Sequence, residues 1–185
     1  MSAPCILGFD ASPSKLGWGV VMDLDGDPVD CGVEEILGTP ELVVRALRGL
    51  NRVLEARGLE PVFGLMEKPG GRGSSGGFDE GLACGMVRMA ARSLWPWLTI
   101  DWTNASHWRT VNGLATKAPA DVRGASRRRR WLKDRSVERA QALGFQLPES
   151  GTRVVRPSDD AAEGGLIARC GFLDLQANPE WRVAA

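Results

Sequence analysis

The sequence predicts an α/β fold in which a mixed five-stranded sheet is flanked by helices. Three segments in the first 40 residues have the short apolar pattern of strands, and later segments alternate between helix and strand patterns. Three strands followed by alternating helices and strands are typical of a mixed sheet. With 185 residues and 43% hydrophobic content, the chain is long enough for one full core, so we expect residues 1–185 to form a single domain.

The five predicted strands are short and bounded by turn residues. The first, CILGFD, ends on Asp10, and the second, GWGVVMDLDG, closes in an Asp-Gly turn. The third covers VDCGVEEIL. A fourth strand, PVFGLME, ends on Glu67, and a fifth covers WLTIDWTN. Two of the predicted strands therefore end on a carboxylate.

Four helices are predicted between and after these strands. PELVVRALRGLNRVLEAR has leucines and valines at helical spacing and is followed by Gly58, which predicts an amphipathic helix from Pro40 to Arg57. After the Gly/Ser stretch KPGGRGSSGG, a second helix covers FDEGLACGMVRMAARSLW. A long polar connection then precedes a basic helix, SRRRRWLKDRSVERAQALGF, and a closing helix begins at Asp159.

Composition limits the classes of function. Acidic and basic residues are equal in number, 23 each, so any nucleic acid must be bound by a local basic patch. The sequence has no C-x-x-C pair, which argues against a zinc knuckle and against a disulfide framework. It also lacks a basic leader and any run of about 18 apolar residues. We therefore expect a cytoplasmic protein that does not span a membrane.

Acids occur in three separate segments. Asp10 and Glu67 end predicted strands, where open α/β sheets place their sites, and RPSDDAAEGGLIARCGF adds Asp159, Asp160 and Glu163. If the fold brings these segments together, a cluster made only of carboxylate oxygens suits Mg²⁺ or Mn²⁺. Two such ions are a recurrent arrangement for in-line displacement at phosphorus.

The last acids also have an ordinary structural interpretation. Ser158, Asp159 or Asp160 can cap the closing helix, and Asp160-x-x-Glu163 has the reach of a capping box. On a helix, both aspartates neighbour Glu163, so spacing alone does not choose between them. A surface turn is likewise the alternative for Asp10 and for Glu67.

Three motifs together resemble a known family. ILGFDASPSKLGWGVV, GLMEKP and SDDAAEGGLIA, in this order, resemble the acidic motifs of RuvC-type Holliday-junction resolvases, which are RNase H-like nucleases. The resemblance extends from about Cys5 to Gly171 and includes Gly17-Trp18-Gly19 in the second strand. It implies an RNase H-like fold and two Mg²⁺ ions per site, which Mn²⁺ can replace. Motif matching implies these catalytic and metal-binding residues: Asp10, Glu67, Asp160 and Glu163.

The sequence departs from the family pattern in three places. Asp10 is followed by Ala11-Ser12-Pro13 where the family usually has a glycine, and Glu163 stands where aspartate is common. The segment after Glu67 is glycine-rich, with Phe78 as the first aromatic residue, whereas the family tends to have a bulky wedge there. Motif matching favours Asp160 over Asp159 as the metal ligand and leaves Asp159 as a cap or an outer ligand.

Basic residues are concentrated in RGASRRRRWLKDRSVER. Arginines near clustered acids are what a phosphate-cleaving enzyme needs to hold a polyanion, so we expect phosphate contacts from Arg127, Arg128, Arg129, Arg130 and Lys133. Lys133 also resembles the basic residue that begins the family's penultimate helix. Lys68 and Arg72 are further candidates. The alternatives are a solvated helix face for the first group and a surface loop for the second.

Six of the seven tryptophans and the single histidine have neighbours in the sequence that indicate their surroundings. We expect Trp18, Trp95, Trp97 and Trp102 to belong to the core, because they lie in or beside apolar segments. Trp108 and Trp131 adjoin basic residues and are candidates for stacking on an unpaired base. His107 is expected to be a polar loop residue and not a catalytic base.

These patterns favour a metal-dependent, structure-selective DNA endonuclease, and the resemblance implies paired symmetric nicking of four-way (Holliday) junctions. Symmetric nicking calls for two active sites, so a homodimer is expected. The small residues of the helix from Phe78 to Leu94 either admit a second helix or pack on the protein's own sheet. The alternatives are an RNase H-like nuclease for another branched or hybrid nucleic acid, and a junction-binding protein that does not cleave. Clustered acids argue against the latter because they repel DNA.

Overall fold

A computed structural model describes residues 2–70, 75–150 and 155–182, and its centre is a five-stranded sheet. The strands are β1 (Ala3–Ala11), β2 (Lys15–Met22), β3 (Pro28–Glu35), β4 (Leu59–Glu67) and β5 (Thr99–Thr103). Their order is β3-β2-β1-β4-β5. The pairs β1–β2 and β2–β3 are antiparallel, and β1–β4 and β4–β5 are parallel. The predicted mixed five-stranded sheet is confirmed.

Five α-helices accompany the sheet in the described residues, one more than predicted. They are α1 (Pro40–Ala56), α2 (Ser75–Leu94), α3 (Ala105–Val111), α4 (Ala125–Ala142) and α5 (Asp159–Ala177). The segment predicted as a long polar connection contains α3, which begins where the Asn104 side chain accepts a hydrogen bond from the His107 N–H. A two-stranded ribbon, β6 (Glu149–Ser150) with β7 (Arg156–Pro157), and a short 3-10 helix (Pro179–Arg182) were not predicted either.

Helices cover both faces of the sheet. Successive side chains of a strand point to opposite faces, and β1 follows this rule: Leu7 and Phe9 pack with α1 and α2, whereas Ile6 packs with α5. All three side chains are fully buried. Burying a large apolar side chain contributes about 1.5–3 kcal/mol, so β1 stabilises both layers at once. None of the helices in the described ranges is long and apolar enough to span a membrane.

The helix α5 lies directly on the main chain of β1 and β2. A Cβ atom added to Gly17 would collide with the Asp160 carbonyl, and one added to Gly19 would collide with the main chain of Gly165. Only glycine allows so close an approach of helix and strand. The Gly17-Trp18-Gly19 motif therefore sets the height of α5, and of Asp160 with it, above the sheet.

The tryptophans only partly follow the sequence expectation. Trp18 and Trp95 are buried as predicted, and Trp102 is half-buried beneath the Arg88 guanidinium, 4.9 Å from the ring centre. The core assignment of Trp97 was wrong, because its side chain is 51% exposed and its indole N–H donates to the Pro61 carbonyl at 3.0 Å. A neighbouring apolar sequence is therefore not sufficient to bury a tryptophan after the end of a helix.

Candidate active site

The topology brings the four predicted acids into one pocket. The neighbouring strands β1 and β4 run parallel, so their carboxyl ends place Asp10 and Glu67 at the same edge of the sheet. The first turns of α5, held against β2, add Asp160 and Glu163. All four acids line a pocket of about 510 Å³ together with Lys15, Lys68, Arg109, Arg129 and Lys133.

Three of the acids are close enough to share a cation. One carboxylate oxygen from each of Asp10, Asp160 and Glu163 lies within 4.8 Å of the other two. Glu67 lines the same pocket but stands outside this trio. Oxygen donors from carboxylates suit hard divalent ions. The residues present therefore fit the metal that the motifs imply.

The crowding of carboxylates raises proton affinity in the pocket. Burial raises the pKa of Asp10 well above its usual value, and the charges of Glu163, Glu67 and Asp160 raise it further. Burial likewise raises the pKa of Glu67, although the hydrogen bond from Trp108 opposes this shift. The pKa of Glu163 is also raised by burial, against the opposing charge of Lys133. A divalent cation would relieve this repulsion.

Lys133 lies inside the pocket and contacts three carboxylates. Its Nζ donates to Asp160 Oδ1 at 2.8 Å and lies 3.1 Å from Asp159 Oδ2 and 4.0 Å from Glu163 Oε2. Although burial disfavours the charged amine, the nearby carboxylates raise the pKa of Lys133. Lys15 adds a second cation, 3.6 Å from Asp160. Phosphate contact by Lys133 stays a prediction, and its observed role is to offset acidic charge.

The structure separates Asp159 from Asp160. The cap of α5 is Ser158, whose Oγ accepts from the Ala161 N–H at 3.2 Å, so the aspartates do not cap the helix. The capping-box interpretation was wrong, because Asp160 is not the cap and the Glu163 carboxylate accepts from Arg109. Asp160 belongs to the trio, whereas Asp159 contacts Lys133. Burial opposes the shift, but Lys133 holds the pKa of Asp159 below its usual range.

Of two functional candidates on α3, sequence reasoning missed Arg109 and gave Trp108 a different role. Arg109 Nη2 lies 2.6 Å from Glu163 Oε1, and both side chains are about 8% exposed. Trp108 is fully buried, and its Nε1 donates to Glu67 Oε2 at 2.6 Å. The proposal that Trp108 stacks on an unpaired base was therefore wrong. The available signal was Asn104, a helix-capping residue, followed by apolar side chains at helical spacing.

The single histidine also belongs to α3. His107 was predicted to be a loop residue, which was wrong, and its Nε2 lies 2.9 Å from Asp174 Oδ1 on α5. The thiol of Cys170 donates to the same carboxylate at 3.5 Å. This contact is separate from the acidic pocket and joins α3 to α5.

The arginine run begins α4, and its members differ in surroundings. Arg127, Arg128 and Arg129 are exposed, and Arg129 lines the acidic pocket. Arg128 Nε donates to the Val122 carbonyl at 3.0 Å, and Arg130 pairs with Asp134 at 2.8 Å. Exposed Lys68 follows β4 and lines the pocket, whereas Arg72 lies outside the described residues. The exposed arginines therefore adjoin the acids from one side.

Solved RuvC structures align with this chain over most of its length. No protein-family model matches the sequence, and no curated protein matches it significantly. The RuvC of T. thermophilus in complex with a Holliday junction substrate aligns with a TM-score of 0.63 and 16% identity, over 94% of this chain and 96% of that chain. A Thermus thermophilus RuvC structure aligns with a TM-score of 0.58 and 17% identity over the same shares.

A third solved structure extends the comparison to eukaryotes. The yeast mitochondrial Holliday junction resolvase Ydc2 aligns with a TM-score of 0.52 and 14% identity, over 99% of this chain and 85% of that chain. At these identities the comparisons establish the fold. The chain has the α/β, RNase H-like fold of RuvC-type resolvases, and the resemblance predicted from the acidic motifs is confirmed at that level.

Proposed function

We propose that this protein is a metal-dependent, structure-selective endonuclease that resolves four-way DNA junctions by paired nicks, a crossover junction endodeoxyribonuclease. The observation that carries the proposal is the convergence of four acids, from two strand ends and one helix, on one pocket of a RuvC-type fold. One of the solved relatives holds a Holliday junction substrate. The fold alone does not determine function, so the acids carry the argument.

The acids supply the ligands for the metal. Asp10, Asp160 and Glu163 would hold one divalent ion between them, and Glu67 would complete the ligands of a second. Two Mg²⁺ ions, or Mn²⁺ in their place, would activate the attacking water and stabilise charge on the leaving oxygen. The clustered carboxylates repel a phosphate group, and bound cations would relieve this repulsion.

The basic residues hold the DNA beside the acids. Arg129, Lys15 and Lys133 surround the pocket, where they offset acidic charge and attract a phosphate group. Arg127 and Arg128 extend this surface along the exposed start of α4 and bind the backbone of a junction arm. Lys68, which lines the pocket, is a further candidate for a backbone contact, as is Arg72, which lies outside the described residues. These contacts are to phosphate, so they hold the DNA without reading its sequence.

A dimer would supply the second nick, and α2 offers a surface for it. The small residues of this helix divide into two faces: Ala83, Ala90 and Ala91 are buried, whereas Gly81 and Gly85 border open space. Beside these glycines lie three exposed apolar side chains at helical spacing: Phe78 (76% exposed), Leu82 (52%) and Met89 (76%). Exposed apolar stripes mark interfaces. A two-fold axis across α2 would pair identical stripes and place two active sites on one junction.

Substrate comparison tests the proposed function. The protein is incubated in Mg²⁺ with a four-way junction, a Y-fork, a linear duplex and an RNA–DNA hybrid, and the Asp10→Asn variant controls for contaminating nucleases. We expect symmetric nicks in the junction alone, with ends that ligase can seal. Cutting of the hybrid or the fork in preference to the junction would indicate an RNase H-like nuclease with another substrate. Junction binding without any cutting in Mg²⁺ or Mn²⁺ would indicate a binding protein.

A further inference from the structure

Two adjacent residues of α3 reach two acids that belong to different elements. Trp108 contacts Glu67 at the end of β4, and Arg109 contacts Glu163 on α5. We propose that Trp108 and Arg109 are positioning residues, which fix the orientation of these two carboxylates toward the metal from one rigid helix. The inference rests on the proposed function for the role of the acids.

The contact at Glu67 restricts one oxygen of the carboxylate. The indole N–H of Trp108 is 2.6 Å from Oε2, and the ring is fully buried, so the donor has one fixed position. A hydrogen bond to a charged acceptor is short and strong. Glu67 extends from the last position of β4 and would otherwise rotate about its own bonds. The indole therefore sets the direction of the carboxylate.

The contact at Glu163 is held still more firmly. Oε1 accepts from Arg109 at 2.6 Å and lies 3.3 Å from Ser136 Oγ, whereas Oε2 lies toward Lys133, 4.0 Å away. The Arg109 guanidinium is itself fixed, because Nη1 donates to the Leu132 carbonyl and the group lies 4.4 Å from the centre of the Trp108 ring. One oxygen is thus anchored, and the other is left for the pocket.

The short helix α3 is fastened so that these donors stay in place. A seven-residue helix is not stable alone and depends on tertiary contacts. His107 joins it to Asp174 near its start, and the Asn112 side chain at its end donates to the Leu166 carbonyl at 2.9 Å. Both partners lie on α5, the helix that carries Asp160 and Glu163. The donors and one pair of acids therefore form a single unit.

The consequence for the site is preorganisation. Some groups hydrogen-bond to a metal ligand without contacting the metal themselves. Removing such a group lowers metal affinity or activity by about 10–100-fold. The carboxylates of Glu67 and Glu163 come from separate elements. Without a fixed donor, each would rotate away from the negative charge of the other acids in the pocket. By bridging β4 and α5, α3 sets both ligands before the metal arrives.

The test compares Trp108→Phe with Trp95→Phe, a matched control. Trp95 is also buried, and its indole also donates a hydrogen bond, to Asn51 Oδ1 at 2.8 Å, in another part of the core. Calorimetry on the DNA-free protein measures Mn²⁺ affinity, and single-turnover assays measure cleavage. We expect Trp108→Phe to lose about 10-fold or more in both, with junction affinity in the absence of metal equal to that of Trp95→Phe. Equal Mn²⁺ affinity and cleavage rates in the two variants would overturn the proposal.

A spectroscopic measurement keeps the proposal testable if Trp108→Phe does not fold. In the NMR spectrum, the Trp108 indole N–H signal is expected to shift in the Glu67→Gln variant and, in the wild-type protein, when Mg²⁺ is added. An unmoved set of indole signals would overturn the contact. Arg109→Lys, which retains the charge and loses the planar fork, is expected to lose Mn²⁺ affinity as well. Trp108-dependent Mn²⁺ binding without any DNA cleavage would contradict the proposed function alone. Absence of Mn²⁺ binding in the wild type would contradict both.

Discussion

Lys133 Nζ lies 2.8 Å from Asp160 Oδ1, and this contact joins the basic helix α4 to the acid-bearing end of α5. Lys133 also lies within reach of Asp159 and Glu163. A partly buried pair of this kind is costly to break, because the remaining charge is left without a partner. The arginine run two turns or less from Lys133 is therefore held at a fixed distance from the acids.

The aspartates at the start of α5 are expected to respond differently to neutralisation. Asp160→Asn should lower cleavage by more than about 100-fold, since it removes a proposed metal ligand and not an outer contact. Junction binding should hold or strengthen, because repulsion of phosphate is reduced. Asp159→Asn should remain active, since Asp159 contacts Lys133 and not the trio. Single-turnover cleavage and a metal-free binding assay check both; an inactive Asp159→Asn beside an active Asp160→Asn would reverse the assignment.

The metal-free protein is expected to lose stability as pH rises. Burial and mutual repulsion raise the pKa values of Asp10, Glu67 and Glu163 in the folded state above their unfolded values, 3.8 for aspartate and 4.5 for glutamate. The folded state then binds more protons than the unfolded state in this window, so the free energy of unfolding falls as pH rises through the folded values. Thermal unfolding midpoints of the metal-free protein at about pH 5 and about pH 8 measure this loss of stability, and the midpoint should be lower at the higher pH.

The Asp10→Asn variant tests whether charge crowding causes this pH dependence. By removing one of the crowded charges it should stabilise the metal-free protein at the higher pH and reduce the difference between the two conditions. The shifts of Lys133 and Asp159 do not cancel this trend, because they act above and below this pH window respectively. Mg²⁺ should stabilise the wild type more at the higher pH than at the lower. A free energy of unfolding that increases with pH in the absence of metal would contradict the charge crowding.

The arginine run is expected to determine the salt dependence of binding. Replacing Arg127, Arg128, Arg129 and Arg130 by alanine should weaken junction binding for every base sequence. It should also flatten the slope of log affinity against log salt by roughly 2–4 units, at about 0.9 per lost contact. Cleavage at saturating enzyme should fall much less. Arg130 is paired with Asp134, so its single replacement should matter less than that of Arg129. An unchanged slope in a folded variant would leave the run as a solvated helix face.

The exposed stripe of α2 is expected to hold the dimer together. Leu82→Glu with Met89→Glu should shift the mass in light scattering from twice the 20.0 kDa chain mass to a single chain, and should reduce paired nicking to independent single nicks. Leu24→Glu is the control, because Leu24 is an exposed apolar residue (83%) in the turn after β2, outside α2. A wild-type protein that is monomeric with and without junction DNA would exclude this arrangement.

The sheet and the pocket were predictable because their signals are local. Apolar runs that end on Asp10 and Glu67 identify strand ends, and parallel neighbours bring strand ends together wherever the strands lie in the sequence. The buried surface of α1 was predictable in the same way, since 17 residues are enough to show helical periodicity. Motif order predicts that Asp160 and Glu163 lie beside them.

The shell behind the acids was not predictable, for reasons of length and context. The helix α3 has seven residues, so its capping residue and few apolar positions are a short signal that also fits a polar loop. Trp108 and Arg109 lie side by side in the sequence, and nothing local shows that one faces β4 and the other α5. Arg109 also reads as one more surface charge until its burial beside Glu163 is known. Trp97 is the opposite case, because it is an apolar residue that the tertiary structure leaves exposed.

The main-chain contact between α5 and β2 means that the site is sensitive to positions that carry no functional group. A single methyl group at Gly17 would press on the carbonyl of Asp160, and one at Gly19 would press on Gly165. Both glycines are buried, and the atoms that a Cβ would meet belong to the main chain, so no side-chain rotamer change can relieve the collision. A mutational scan of the chain would therefore find inactivating positions along β2, beneath the helix. These positions would be missed if only the proposed metal ligands were considered.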